Sequence, residues 1–172
     1  MSTESNKKTS KHSQLWMIIS DSHDNIPKIR KFIEVAKQRE ITHVFHLGDI
    51  VSPFMAPYFL LEGVKFIGIF GNNDGEKLFL MQKFQNKLHN QPYEMEESGF
   101  RIFLMHEPYA LIPAIKSQLY DFVFYGHTHQ IDIRKEGRTL VINPGESCGY
   151  LTGKATAVIL NPETREYEII EI

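Results

Sequence analysis

The chain has 172 residues, of which 42% are hydrophobic and 23% charged, with a formal net charge of -2. Those values describe an ordinary soluble globular chain long enough to bury a full core, and they exclude a broad basic face for nucleic acid. A lone cysteine, Cys148, excludes an intrachain disulfide and fits a reducing, cytoplasmic compartment, and no apolar run nears the roughly 20 residues of a membrane span.

Residues 1–13 are polar and basic with no apolar segment, so they read as a disordered tail rather than a secretory signal, with residues 14–172 forming a single domain. LWMIIS (15–20) is a continuous apolar run that stops at SDSHDN, the pattern of a strand buried on both faces. In PKIRKFIEVAKQRE, Ile29, Phe32, Ile33 and Ala36 recur at helical spacing behind Pro27. THVFHL is a second strand, ending at Gly48-Asp49. Residues 53–61 form a proline-started helix, VKFIGIF a third strand ending at Gly71, and residues 75–88 an amphipathic helix. PYEMEES and FRIFLM then pair around Ser98-Gly99, residues 109–119 form a helix disturbed by Pro113, and DFVFY is a strand. IDIRKEGRTLVI alternates around Glu136-Gly137, and KATAVILN and REYEIIEI alternate around Asn161-Pro162, giving two hairpins. The sum predicts an α/β fold of two mixed sheets packed face to face with helices outside, a four-layer α/β/β/α sandwich.

Ionisable and amide residues gather just after the predicted strands. Asp21 and His23 follow the first, Asp49 the second, Asn72, Asn73 and Asp74 the third, His106 the FRIFLM strand, and His127 and His129 the DFVFY strand. Ligands of α/β folds collect at the carboxyl ends of strands, so five strand ends aim these side chains at one rim. Singly the blocks are weak: GNND is turn-like, and Asp21 and His23 could simply cap a helix. Together, Asp and His suit Mn, Fe, Ni, Zn or Co better than Ca. Seven candidate ligands exceed a simple zinc site and fit two ions about 3.5–4 Å apart that share one carboxylate, with Asp49 the best bridge. Gly48, Gly71 and Gly126 let the backbone turn tightly toward the site. His127 and His129, alternate residues of an extended segment, share one side. His46 has the alternation of a supporting residue, Asp74 that of an orienting one, Asn25 that of a helix cap, and Cys148 has no catalytic partner. His43 starts a strand and His89 falls on the surface.

The order D-x-H (Asp21-Ser22-His23), G-D (Gly48-Asp49), G-N-x-D (Gly71 to Asp74), an isolated His106 and G-H-x-H (Gly126 to His129) resembles the calcineurin-like metallophosphoesterases. Small size, HLGD and NPGE (Asn143 to Glu146) are most similar to the short bacterial and archaeal phosphodiesterase branch, which shares its fold with the eukaryotic retromer subunit. The resemblance implies that Asp21, His23, Asp49 and His129 hold one metal and that Asp49, Asn72, His106 and His127 hold the other. It places catalysis in the metal centre, through Asp49 and His106, by attack of a bridging hydroxide that is available near neutral pH. Two divalent ions are expected, Mn²⁺ first, with Ni²⁺, Zn²⁺, Fe²⁺, Co²⁺ or Mg²⁺ also compatible.

Two positions depart from the family pattern. Many larger members carry a His after the Asn, thought to protonate the leaving group; here Asn73 stands there. An amide cannot act as a general acid near neutral pH, a loss of about 10²–10⁴-fold on poor leaving groups. That favours a phosphodiester small molecule or nucleotide over a monoester, with Asn73 free to bind a phosphate oxygen. Glu107 also replaces the usual Gly after the isolated His. Two competing readings are a protein-binding scaffold of the same fold and a mononuclear zinc hydrolase, the latter using fewer of these residues. The apolar segment FMAPYFLL (54–61) could support a homo-oligomer.

Overall fold

In the computed structural model, which describes residues 13–172, the apolar run at 15–20 forms β1 (Trp16–Ile19), every residue of it buried. The tail expected over residues 1–13 lies outside the described residues apart from Ser13. Among the described residues, six strands form the first sheet: β1, β2 (His43–His46), β3 (Lys65–Ile69), β4 (Leu88–His89), β10 (Thr156–Leu160) and β11 (Tyr167–Glu171), in the order β11-β10-β1-β2-β3-β4. The second sheet contains β5 (Tyr93–Glu97), β6 (Phe100–Leu104), β7 (Phe122–Phe124), β8 (Ile131–Glu136) and β9 (Thr139–Pro144), in the order β5-β6-β7-β9-β8. Both sheets are mixed: β1, β2, β3 and β4 run parallel, as do β6, β7 and β9, and β10-β11, β5-β6 and β8-β9 are antiparallel hairpins.

Strand periodicity explains the layering. Met17 and Ile19 of β1 pack with Ile29, Phe32 and Ile33 of helix α1 (Ile26–Gln38), while Trp16 and Ile18 face the second sheet, against Phe122 and Phe124 of β7. On the far side of β7, Val123 meets Leu111, Ala114 and Ile115 of helix α4 (Leu111–Ser117). Each central strand is apolar on both faces because each lies between two layers, which gives the four-layer α/β/β/α order expected from the sequence. Asn25 caps α1, its side chain accepting from Lys28 N at 3.3 Å. Among the described residues no helix is long and apolar enough to cross a membrane.

Three local expectations change. The segment 53–61 divides into a 3₁₀ turn (Pro53–Met55) and a single helical turn, α2 (Ala56–Phe59). The helix expected over 75–88 spans only Lys77–Lys83 (α3), because Gln85 and Asn86 take left-handed φ values of 55° and 59° and reverse the chain. Leu88 and His89 then pair in parallel with Gly68 and Ile69, and His89 is half-buried against the Tyr93 ring at 3.8 Å rather than a surface residue. Within FMAPYFLL (54–61), Phe54 and Pro57 are exposed, Phe59 is buried, and Leu60 and Leu61 pack against the core.

Candidate metal centre

The loops after β1 and β2 are tied to each other: Asp21 N donates to Gly48 O and His23 N to Asp49 O, each at 3.1 Å. Five of the seven candidate ligands, Asp21, His23, Asp49, His127 and His129, have positive φ, between 37° and 66°. L-residues held there cost of order 1–3 kcal/mol each, strain that concentrates at functional sites. The extended geometry expected for residues 127–129 is therefore replaced by a turn, with Thr128 N donating to Gly126 O at 2.7 Å. The glycines also act differently from expectation. Of Gly48, Gly71 and Gly126, the first (φ +99°) is the one that uses glycine's conformational freedom. Gly71 and Gly126 supply space, since a Cβ would lie 2.2 Å from Asp49 Oδ1 at the first and 2.1 Å from Ser20 Oγ at the second.

The fold brings all seven side chains into one cluster. Asp21 Oδ1 lies 3.9 Å from His23 Nε2 and 3.3 Å from His129 Nε2. Asn72 Oδ1 lies 2.9 Å from both His106 Nε2 and His127 Nδ1. Between these groups, Asp49 Oδ2 is 3.5 Å from His23 Nε2 and 3.4 Å from His106 Nε2. Asp21, His23 and His129 each offer one donor atom within 4.8 Å of the others, as do Asp21, Asp49 and His106.

The donor set fits divalent cations. Asp21 Oδ2 accepts from Ser20 Oγ at 2.6 Å and His127 N at 3.1 Å, but Asp21 Oδ1 and His23 Nε2 are buried with no hydrogen-bond partner. Leaving such groups unpaired costs about 1–3 kcal/mol each, and a cation between them removes the penalty. Burial pushes the Asp21 carboxyl above its ordinary range, against the pull of His106, Ser20 and His129. Burial acts the same way on Asp49, but hydrogen bonds from His106 and from Asn73 N and Nδ2 outweigh it and hold that carboxyl well below the ordinary range. Asn73 N and Nδ2 reach the two Asp49 oxygens at 2.8 and 2.7 Å, so the amide expected to face a phosphate oxygen rests on the central carboxylate.

A surrounding layer fixes these groups. Asp74 orients the neighbouring loops, as its position suggested: Oδ2 accepts from Asp49 N and Gly71 N, and Oδ1 from Val51 N, at 2.7 to 3.0 Å. His46 is fully buried, accepts from Gly48 N at Nδ1 (3.3 Å) and donates from Nε2 to Ser22 Oγ (3.0 Å). That pattern needs a neutral ring, and burial lowers its pKa to about 3. His106 Nδ1 donates to Leu47 O at 2.7 Å, which turns Nε2 toward Asp49. Gln91 Oε1 accepts from His106 N and Glu107 N, and Gln91 Nε2 donates to Glu107 Oε2 at 3.3 Å.

Sequence reasoning missed Gln91, Ser20 and Glu146. Glu146 is buried, and its Oε2 lies 2.7 Å from His129 Nδ1. Burial alone would raise this carboxyl, but donors from Thr152, His129 and Cys148 bring it down to about 2. A signal existed in NPGE, an acid closing the buried strand β9. The Cys148 thiol is buried, donates to Glu146 Oε2 at 3.1 Å, and is pushed up to about 12 by burial, which suits an idle thiol.

Residues 15–165 match the calcineurin-like phosphoesterase superfamily domain. A phosphodiesterase of Methanocaldococcus jannaschii is 41% identical over 159 residues, covering 89% of this chain and 96% of that protein. A solved archaeal phosphodiesterase is similar with a TM-score of 0.86 at 39% identity, over 92% of this chain and 100% of the other. Vps29 of Entamoeba histolytica, solved with zinc, shares the fold at a TM-score of 0.65 and 16% identity, over 92% of this chain and 98% of the other.

Proposed function

From the premise that the chain belongs to the calcineurin-like phosphoesterase superfamily, we propose that it is a phosphodiesterase working through two divalent ions, Mn²⁺ first among them. One observation carries the metal reading: Asp21 Oδ1 and His23 Nε2 are buried, unpaired and turned toward the same cluster as Asp49 Oδ2. Asp21, His23, Asp49 and His129 would hold one ion, and Asp49, Asn72, His106 and His127 the other. Bound there, the pair would supply hydroxide near neutral pH and neutralise charge on the phosphoryl oxygens. The chain's own contribution is rigidity, since Asp21, Asp49, His106 and His129 are anchored by backbone or buried polar partners before substrate arrives.

Asn73 shapes the substrate preference. The position beside the central carboxylate offers an amide already bonded to Asp49, so no titratable proton is available there for a departing oxygen. Esters with good leaving groups suffer least. The M. jannaschii relative, a phosphodiesterase, supports a diester over a monoester.

The test is to strip the protein of metal and assay a chromogenic phosphodiester and its monoester, without metal and with Mn²⁺, Ni²⁺, Zn²⁺ or Mg²⁺ added. The expected result is diester turnover restored by metal, with the monoester far slower. Asp49→Ala should lose both ions and nearly all turnover. Wild-type protein that binds two ions yet cleaves neither ester would overturn the catalytic reading in favour of a protein-binding scaffold. Unchanged stoichiometry and rate in Asp49→Ala would remove Asp49 from the centre.

A further inference from the structure

Glu146 lies outside the seven candidate ligands, on the loop that follows β9, yet every group facing its buried carboxylate is a donor. His129 Nδ1 (2.7 Å) and Cys148 Sγ (3.1 Å) approach Oε2. Leu151 N (2.9 Å), Thr152 Oγ1 (2.7 Å) and Thr152 N approach Oε1. Donors on both sides require an acceptor-only group with two oxygens, which an ionised carboxylate is and an amide is not.

The consequence falls on His129. An acceptor at Nδ1 keeps the proton there, so a neutral ring presents its Nε2 lone pair. That nitrogen stands 3.3 Å from Asp21 Oδ1, an oxygen with no hydrogen-bond partner. Two lone-pair atoms so close repel unless a cation sits between them. The ring is further held by a stacked contact with His23, centroids 5.4 Å apart.

We propose that Glu146 is a positioning residue: it fixes His129 as the Nδ1–H tautomer, delivers Nε2 as a ligand opposite Asp21, and clamps the backbone of Leu151 and Thr152 to the same imidazole. This rests on the dinuclear reading above. The carboxylate holds the ring proton at Nδ1 and removes the ring's freedom to rotate, so one ion gains affinity while the other, held through Asn72, His106 and His127, does not depend on it.

Glu146→Gln separates the two halves of the role. An amide must turn its oxygen to the loop and its NH₂ to His129, which drives the ring proton onto Nε2, or do the reverse and release Leu151 and Thr152. Imidazole ¹⁵N shifts of His129 in full-length zinc-loaded protein should report a neutral Nδ1–H ring in the wild type. Chelator competition with Zn²⁺ should show roughly 10–100-fold weaker binding of one ion in Glu146→Gln and near wild-type binding of the other. Glu146→Asp, which keeps charge but withdraws it, should fall between. A doubly protonated His129 in the loaded wild type would overturn the proposal without any variant being made. So would wild-type affinity for both ions in a folded Glu146→Gln protein. If the wild type binds no ion, the dinuclear reading fails and this inference falls with it; two ions of equal affinity in wild type and variants would overturn the role of Glu146 alone.

Discussion

Asn73 is the residue at which this site can be re-tuned. Its backbone N–H already reaches Asp49 Oδ1 at 2.8 Å, and that bond survives any side chain. Asn73→His gives up the amide bond to Asp49 Oδ2 and places an imidazole beside the centre. A ring titrating near neutral pH can protonate a poor leaving group, so the gain should grow with leaving-group pKa. Across a series of aryl phosphodiesters we expect about 10–100-fold on the poorest leaving group, the lower part of the general-acid range, and little change on the best. An unaltered dependence of kcat/KM on leaving-group pKa would show that position 73 does not reach the departing oxygen. At this scale the sequence was readable where chemistry-bearing residues interrupt apolar runs, which is why Asp21, Asp49 and His127 stood out. Gln91 was not, because the backbone donors that face it lie 15 and 16 residues away, and Glu146 showed only through NPGE, because its tie to His129 spans 17 residues.

Among the elements, the strand-to-loop junctions do the positioning, and Gly71 tests the idea. Its φ is not in the left-handed region, so alanine is conformationally allowed, yet the added Cβ would sit 2.2 Å from Asp49 Oδ1 and 2.4 Å from Asp49 N. Backbone and carboxylate must both move. Gly75, four residues on, has open space around its Cβ position and serves as the control. Gly71→Ala should bind divalent ions at least about tenfold more weakly and lose roughly 1–3 kcal/mol of stability, as overpacking does, while Gly75→Ala behaves as wild type. Calorimetric ion titration with thermal melts of the two variants checks this; equal ion affinity would show that the loops after β2 and β3 tolerate displacement. The strands themselves were legible because two-sided burial makes them continuous apolar runs. The end of α3 was not: KFQNKL keeps helical spacing, but the chain reverses at Gln85 and Asn86 so that Leu88, buried at 1% exposure, can add a strand beside Gly68. Tertiary pairing overrode local periodicity there.

Considered whole, the molecule is two sheets joined by an apolar layer, with the candidate centre lying across the seam. Asp21, His23, Asp49 and Asn72 follow strands of the first sheet, and His106, His127 and His129 follow strands of the second. The closest approaches, Asn72 to His106 and His127 at 2.9 Å and Asp21 to His129 at 3.3 Å, all span the two sheets. A cation bound there links the layers and offsets both the strain of five left-handed residues and the two unpaired buried atoms. An unfolded chain scatters these ligands over more than a hundred residues, so binding should favour the native state by about 2.7 kcal/mol per site at a hundredfold excess over Kd. At about 2–4 °C per kcal/mol for a chain of this length, one occupied site raises Tm by about 5–10 °C. The single tryptophan, Trp16, is fully buried between the sheets and reports their separation by fluorescence. Melts followed at Trp16 should therefore shift upward with added Mn²⁺, return on adding chelator, and show no shift in Asp49→Ala. A Tm that is the same in chelator and in excess Mn²⁺ would mean that the seven residues hold the sheets together without an ion, and that the strain at their loops is balanced by packing alone.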